Sequence, residues 1–443
     1  MDNRLKLAIL LAAALAALAV HQLSGLPTEM GVVAAITVFV GILWFTETIS
    51  LWITALAVPA LLVTFAGIKP AEAFTPFFDP IIALLLGGFA LGLAVQRQGL
   101  DARIASLLSS VFGTRPKRYL LGLMVATGFL SMWMANTAAA AVMMPVGVAA
   151  LAATKLGKGS NYAKALVLGV GYSATIGGIG TLIGTPPNLI AAKWLGESGI
   201  MNVTFVDWMV RALPLVLVMI PLAWLVLISL YKPEVDKVKV RETRQKRLDN
   251  PQKATIGIFA LTAFLWLTES AHGVHSSVVA MLPIISLFGL NIIGKEDISR
   301  IGWDMLILIG GGLSLGSALH SSGLDAALAS GIAGVLAGQA PFFIFLMLSV
   351  FSIALTVFVA NTAAAAILIP VMIPLTQMLG VNPAAVVFLI GMVVSFDFIV
   401  PVGTPPNAIA YGTGYVRVKE MAKAGLILAA LGSLLVSALA FLW

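Results

Sequence analysis

Residues 135–141 read Ala-Asn-Thr-Ala-Ala-Ala-Ala, and residues 360–366 read the same. Each copy lies midway along an apolar stretch, 119–150 and 342–376. The residues on either side, such as Leu130 to Met134 and Ala138 to Met144, suit a helix. Asparagine caps helix starts well and tolerates the left-handed conformation that a tight tip needs. Asn136 and Asn361 are therefore expected to end one half-helix and begin another. Such a tip exposes free carbonyls from the first half and free amides from the second. Carbonyl ends attract cations, and helix N-termini attract anions. Ser131 and Thr356 place a hydroxyl five residues before each asparagine. Each adds an oxygen ligand suited to a cation.

A second motif repeats with the first. Gly184-Thr-Pro-Pro-Asn188 recurs, identical, as Gly403 to Asn407. Proline favours the first helical position and pushes the residue before it into an extended shape. Thr185 and Thr404 are thus expected as N-caps, with Pro186 and Pro405 opening new half-helices after unwound backbone at Gly184 and Gly403. In lipid, such a break survives only where protein buries it or where it lines a cavity. Three weaker echoes keep the same order: Trp44-Phe-Thr-Glu47 with Trp266-Leu-Thr-Glu269, Asp79 and Gly87, Gly88, Gly92 with Asp304 and Gly311, Gly312, Gly316, and Gly99-Leu-Asp101 with Gly323-Leu-Asp325. The chain is a tandem repeat. With five spans expected in each copy, an odd number, the copies have opposite orientations in the membrane. Inverted repeats with broken helices at their interface are a mark of secondary transporters.

Composition sets the solvent. Of 443 residues, 60% are hydrophobic and only 10% charged, with mean hydropathy +1.03. Soluble domains carry about 25% charged residues. An all-α polytopic membrane protein follows, with about eleven spans of the roughly 20 residues that a bilayer requires. They fall near 5–22, 30–46, 51–67, 79–97, 162–183, 208–230, 254–271, 274–291, 304–321, 383–402 and 421–442. The expected division is a first helix at 1–29, a repeat at 30–231, a basic linker at 232–253 and a repeat at 254–443. The first repeat holds the re-entrant hairpin 119–150 and the broken helix 162–200; the second holds the hairpin 342–376 and the broken helix 383–415. Arg4 and Lys6 before an apolar run resemble a signal peptide, but His21, Gln22 and Leu23 do not suit a cleavage site, so a retained helix is expected. If both hairpins re-enter on their own side, all but Lys69, Lys193 and Arg211 of the 26 basic residues fall on the side of the N-terminus. The positive-inside rule makes that side cytoplasmic. The linker, with Lys237, Lys239, Arg241, Arg244, Lys246 and Arg247, reads as a solvated loop. The net charge of +7 is then topological rather than a nucleic-acid signal. Without cysteine, disulfides and thiolate metal sites are excluded.

No Lys or Arg falls near the expected tips, so an anion there must rely on helix N-termini, amides, hydroxyls and any bound cation. Cation-supplied charge would couple the two fluxes. Asp397 lies in an apolar stretch where insertion of a carboxylate costs about 2.5–3.5 kcal/mol. It has two readings, a coupling residue for a proton or cation, or a hydrogen-bonded packing residue; its repeat counterpart is Gly178. Glu47 and Glu269, at span ends, read as structural residues that cap or pair. Gly312-Leu-Ser-Leu-Gly316 matches a nucleophile-elbow string, but its counterpart has Ala90 for Ser314 and no strand precedes it. Small-residue helix packing is the expected role. His272-x-x-His275 reads as a loop feature, and no enzyme chemistry or resident cofactor is expected.

At these motifs the chain resembles the divalent anion–sodium symporter family, over nearly its whole length. The resemblance implies a homodimer in a bacterial or archaeal cytoplasmic membrane, in contact with lipid, whose transport domain moves elevator-fashion against a scaffold domain. It implies two sodium ions flanking one dianion. The first sodium site would use Ser131, Ala135, Asn136 and Gly184, and the second Thr356, Ala360, Asn361 and Gly403. Substrate carboxylates would meet Asn136, Thr137, Asn361 and Thr362, with Thr185, Thr404 and Pro405 nearby. Sodium-coupled import of a four-carbon dicarboxylate is the expected function; proton coupling, exchange and sulfate are alternatives within the class, with an anion channel or an intramembrane hydrolase outside it. Two features depart from the family pattern: the tips read Ala-Asn-Thr rather than Ser-Asn-Thr, and Asp397 stands where a neutral residue is usual.

Overall fold

Among the described residues, 2–239, 247–401 and 403–443, every regular element of this computed structural model is a helix. Side chains at 105, 106 and 108–110 fall outside that description, as do Arg241, Arg244 and Lys246 of the basic linker. The chain opens with α1 (Asn3–Leu23), α2 (Thr28–Thr46) and α3 (Leu51–Phe65). Short α4 (Pro70–Phe74) leads to α5 (Pro80–Arg97), which starts on Pro80 with Asp79 accepting from the Ile81 amide at 3.0 Å. Then come α6 (Leu100–Phe112), α7 (Pro116–Ser131), α8 (Asn136–Ala153), α9 (Asn161–Gly178), α10 (Pro186–Glu197) and α11 (Phe205–Leu230).

Past the linker lie α12 (Asn250–Leu267), single-turn α13 (Glu269–His272) and α14 (Ser276–Val279), and α15 (Met281–Gly289). They lead to α16 (Trp303–Ser321), α17 (Leu324–Leu336), α18 (Pro341–Thr356), α19 (Asn361–Leu379), α20 (Pro383–Val393), α21 (Pro405–Gly412) and α22 (Val418–Leu442).

Seven helices among the described residues are long and apolar enough to cross a bilayer, or eight if the bent pair α16–α17 counts as one span. Eleven were expected. Five of the expected spans are among the seven, and the other two, α8 and α19, lie in the segments expected as hairpins. Of the remaining expected spans, 304–321 lies in the bent pair, 51–67 and 274–291 yield short helices, 383–402 stops at Val393, and α9 and α12 over 162–183 and 254–271 are not among the seven. Apart from the short α4, two helices were not expected at all, α6 and α17. Each has 13 residues, about 20 Å at 1.5 Å per residue and too short to span. Each starts after a left-handed glycine, Gly99 (φ 62°) or Gly323 (φ 74°), and α17 turns 77° from α16.

The paired tryptophans serve one structural purpose. Trp44 donates to the carbonyl of Leu51 at 3.2 Å, and Trp266 to that of Ser276 at 3.0 Å, in both cases the first residue of a following helix. Both rings are fully buried, so each indole locks a helix-to-helix turn while satisfying its own N–H. Glu47 ends α2 in a left-handed conformation, and Glu269 accepts from the Ser276 amide at 3.3 Å, consistent with structural roles at span ends.

Glycines let α5 and α16 pass close to their neighbours. A Cβ at Gly87 would lie 2.5 Å from the Ala280 carbonyl oxygen, and one at Gly311 would lie 2.5 Å from that of Ala55. One turn on, a Cβ at Gly92 would meet Met134 at 2.8 Å, and at Gly316 it would meet Trp194 at 2.7 Å. Small residues thus bring backbones together where lipid supplies no hydrophobic drive. Ser314 points into this packing and donates to the Ala73 carbonyl at 2.8 Å from mid-helix, so it has none of the geometry of a nucleophile elbow.

The helices that follow the Thr-Pro-Pro motifs exchange partners across the molecule. α10 packs on α19 and α20, and α21 packs on α8 and α9. Each break is therefore covered by a segment from the opposite half. The described part of the linker is not a free loop. The Val238 amide donates to the Thr114 carbonyl at 2.8 Å, the Lys239 amide to Thr154 Oγ1 at 2.9 Å, and Val238 is buried. Glu234 caps α9, accepting from Ser160 Oγ at 3.0 Å, the Tyr162 amide at 3.1 Å and the Asn161 amide. The expectation of a solvated joint missed this docking because backbone donors leave no trace in residue type.

Candidate functional site

The two Ala-Asn-Thr motifs break their segments alike. α7 stops at Ser131 and α8 starts at Asn136; α18 stops at Thr356 and α19 starts at Asn361. The cap is the alanine, not the asparagine as expected. Ala135 (φ −52°, ψ 138°) and Ala360 (φ −52°, ψ 137°) precede the helices without a side-chain cap, and the asparagines are the first helical residues. The alanine carbonyls take the first helical bonds, from Ala139 at 3.1 Å and Ala364 at 2.9 Å. Each keeps a second lone pair. Displacing asparagine from the cap frees its amide to reach sideways.

At the first break that amide reaches α9. Ser131 Oγ lies 2.7 Å from Asn136 Oδ1 and 2.6 Å from the Ala174 carbonyl. With the amide turned over, its nitrogen would face Ser131 Oγ at 2.7 Å, Gly184 O at 3.2 Å and Ala174 O at 3.3 Å. A nitrogen at that point is a satisfied donor. An oxygen there completes a cluster of four oxygens with one hydroxyl proton among them, the ligand chemistry of a hard cation. Ser131, Asn136 and Gly184, expected together from the sequence, thus meet in space. Ala174 was not expected, since a main-chain carbonyl carries no signal in residue type. Gly178 completes the arrangement: the Asn136 amide occupies the place where a side chain at 178 would begin.

The Thr-Pro-Pro helices begin where expected. Thr185 (φ −149°) and Thr404 (φ −134°) are extended N-cap residues, and Pro186 and Pro405 open α10 and α21. Neither threonine makes a side-chain capping bond, and the Thr404 hydroxyl is buried without a partner. The last residue of each motif ties down the unwound strand before it. Asn188 Nδ2 donates to the carbonyls of Gly178 (3.0 Å), Ile179 (3.4 Å) and Thr181 (2.7 Å). Asn407 Nδ2 donates to those of Asp397 (2.8 Å) and Val400 (3.1 Å). Backbone that has left the helix without reaching water is satisfied in this way.

The second break differs in its polar balance. α20 ends at Val393, well short of the expected 402, which leaves Asp397 in unwound chain. Thr356, the counterpart of Ser131, spends its hydroxyl on the Ile353 carbonyl at 3.0 Å. Asn361 Oδ1, Ser395 Oγ, both Asp397 carboxylate oxygens and Asn407 Oδ1 are buried with no hydrogen-bond partner. Thr362 is buried, Thr137 is half-buried, and Pro405 is exposed whereas Pro186 is buried.

Two basic side chains on neighbouring helices are already engaged. Lys193 of α10 pairs with Asp79 and, at 2.7 Å, with Glu197. Arg211 of α11 sits 3.9 Å from Asp207, its guanidinium 4.7 Å from the centre of the Phe388 ring. An anion between the breaks would meet helix N-termini, amides and hydroxyls. A cavity of about 430 Å³ lies to one side, between α5, α6, α7 and α12. It reaches the back of the first break through Leu130, Trp133 and Met134, but its walls are almost wholly apolar, so the polar chemistry is at the breaks and not there. His272 ends α13 and bonds to the Leu265 carbonyl (2.8 Å), and His275 caps α14 and bonds to Ser277 Oγ (2.7 Å).

Comparison with known proteins fits this geometry. A family model described as the sodium:sulfate symporter transmembrane region matches residues 1–443. An uncharacterized transporter of Haemophilus influenzae is 36% identical over 89% of this chain and 87% of its own length. A sodium-dependent dicarboxylate transporter, SdcS, of Staphylococcus saprophyticus is 34% identical over 89% of this chain and 82% of its own. Its namesake in Staphylococcus aureus is 33% identical, covering 90% and 83%. Among solved structures, the YdaH transporter of Alcanivorax borkumensis superposes with a TM-score of 0.62 at 17% identity, over 92% of this chain and 99% of that one. At that identity the likeness is one of fold.

Proposed function

Because this chain belongs to the divalent anion–sodium symporter family, we propose that it is a sodium-coupled importer of a small dianion, in first place a four-carbon dicarboxylate such as succinate, malate or fumarate. The observation that carries this reading is the pair of matched helix breaks, each with a Thr-Pro-Pro helix from the opposite half packed beside it. Substrate carboxylates would take the free first-turn amides of α8 and α19 and the side chains of Asn136, Thr137, Asn361 and Thr362, with Thr185, Thr404 and Pro405 nearby. Sodium would sit on the carbonyl side of each break: one ion with Ser131, Ala135, Asn136 and Gly184, the other with Thr356, Ala360, Asn361 and Gly403. Without a free Lys or Arg beside the dianion, the two cations supply the compensating charge, and this is the coupling. The relatives' description as sodium-dependent dicarboxylate transporters supports both halves of the proposal.

The protein is multi-pass, and its relatives are bacterial. We place it in the cytoplasmic membrane with its N-terminus inside, as a homodimer of two inverted repeats in which the breaks travel with a transport domain past a scaffold. The test is succinate uptake into proteoliposomes under an inward sodium gradient, against an equal potassium gradient. Accumulation with sodium alone is expected. Uptake indifferent to sodium would overturn the coupling, and saturation-free conductance would make the protein a channel.

A further inference from the structure

Resting on the sodium-coupled reading above, we propose that Asp397 is a charged ligand of the second cation site, joining Thr356, Ala360, Asn361 and Gly403, and that this site carries a fixed negative charge which the first site lacks.

Three observations converge on this. The first is position. Asp397 is the repeat counterpart of Gly178, and both are held by the asparagine that ends a Thr-Pro-Pro motif: Asn188 on the Gly178 carbonyl at 3.0 Å, Asn407 on the Asp397 carbonyl at 2.8 Å. At the first break the absent side chain of residue 178 makes room for the amide of Asn136. At the second break a side chain is present, and its carboxylate fills the space that a methyl group on Gly403 would occupy. Gly403 is the counterpart of Gly184, whose carbonyl lies 3.2 Å from the Asn136 amide at the first break. The carboxylate is therefore at the second cation site.

The second observation is the lack of any internal partner. Asp397 is fully buried, and neither oxygen accepts a hydrogen bond; the Ile399 amide lies beside it without completing one. It joins no ion pair among the described residues. A buried carboxylate with no donor and no counter-charge is strongly unfavourable as an anion unless it takes up a proton or a cation arrives. The third observation is the company it keeps. Asn361 Oδ1, Ser395 Oγ and Thr404 Oγ1 are also buried without partners. Thr356 turns its hydroxyl proton back to the Ile353 carbonyl of its own helix, whereas Ser131 turns its own to the Ala174 carbonyl of α9. The second break is thus rich in oxygen and poor in donors.

The two sites become unequal. The first is a neutral cluster, while the second attracts a cation electrostatically before any dianion binds. The second site should fill at lower sodium, independently of substrate, and the fully loaded carrier keeps one negative charge more than a carrier with two neutral sites.

The test uses the purified full-length protein without dicarboxylate. Thermal unfolding is followed as sodium chloride replaces choline chloride at constant ionic strength, since a ligand that binds only the folded state stabilises it in proportion to ln(1 + [L]/Kd). Wild type should be stabilised by sodium. D397N should need at least tenfold more sodium for the same stabilisation, while being no less stable than wild type in choline, because the unpaired charge is gone. Should D397N fail to fold, D397G, which installs the residue found at 178, reads the same comparison. An unchanged sodium midpoint overturns the assignment, including the case in which the variant is destabilised equally at every sodium concentration, as for a packing residue. Absence of any sodium response in wild type overturns the sodium-coupled reading itself, and this assignment with it.

Discussion

Asn407 holds Asp397 by the main chain and not by the carboxylate: its amide nitrogen donates to the Asp397 carbonyl at 2.8 Å. The same side chain also takes the carbonyl of Val400 at 3.1 Å, and its own oxygen has no partner. Asparagine is therefore present as a donor. At the first break Asn188 does the same for three carbonyls. Each buried carbonyl left without a donor costs about 1–3 kcal/mol.

Asn188→Asp and Asn407→Asp keep the side chain's size and remove its donors. Both should lower the melting temperature of the detergent-solubilised protein, and the change at 188 should cost no more than that at 407, because Ile179 also accepts from Trp208 Nε1 at 2.8 Å and Thr181 from the Gly184 amide at 3.4 Å. A melting temperature within a degree of wild type for Asn188→Asp would mean that other groups satisfy the unwound strand.

Glycine packing makes a prediction with two signs. Gly311→Ala sets a methyl group 2.5 Å from the Ala55 carbonyl oxygen, a backbone atom that has nowhere to move. A loss of about 1–3 kcal/mol is expected from such overpacking. Gly257, inside α12, has nothing within 4 Å of the same added methyl. Gly257→Ala should stabilise by about 0.5–1 kcal/mol through helix propensity alone. Thermal unfolding of the two variants beside wild type checks both directions.

Much of this organisation is legible in the residues, and what is not has physical reasons. Asn136 and Asn361 stand out inside alanine runs, and Pro186 and Pro405 mark helix starts by their missing donors, so the breaks are placed to within a few residues. Ala174 and Gly178 are not legible, because one contributes a main-chain carbonyl and the other the absence of a side chain. The early end of α20 at Val393 depends on Asn407, which lies beyond the strand it stabilises. The helices α6 and α17 escape a search for spans because they are too short to be one. Docking of the linker rests on Glu234 meeting backbone amides, which composition does not reveal.

Glu234 supplies a pH dependence outside the membrane. Partial burial pushes its carboxyl up, but the amides of Tyr162 and Asn161 and the hydroxyl of Ser160 outweigh this and hold it below the usual glutamate range. A carboxyl depressed in the folded state contributes stability above its unfolded value, near pH 4.3, and loses it as pH falls through the folded value. Glu234→Gln should therefore be less stable than wild type at pH 7, with the gap closing as both are titrated below pH 4. The gap should be small, since solvent screens this side chain. A gap that persists at low pH would assign the effect to shape instead of charge.

The sharpest test of the site is the asparagine pair. Asn136→Ala removes the group that joins α8 to Ser131 and to the strand at Gly184, and Asn361→Ala removes its counterpart at the second break. Neither amide caps its helix, since Ala135 and Ala360 hold the cap positions. Helix formation should then survive both changes, and each variant should purify as a folded protein with a sharp thermal transition. Transport should not survive, because each asparagine is assigned to a cation and to the dianion at once. A conservative replacement separates those duties: Asn136→Asp keeps an oxygen for the cation but adds a negative charge facing the dianion. It should retain sodium-induced stabilisation while losing succinate uptake. Wild-type uptake by either alanine variant, in a preparation of intact protein, would remove the asparagines from the site and move the search to the threonines beside them.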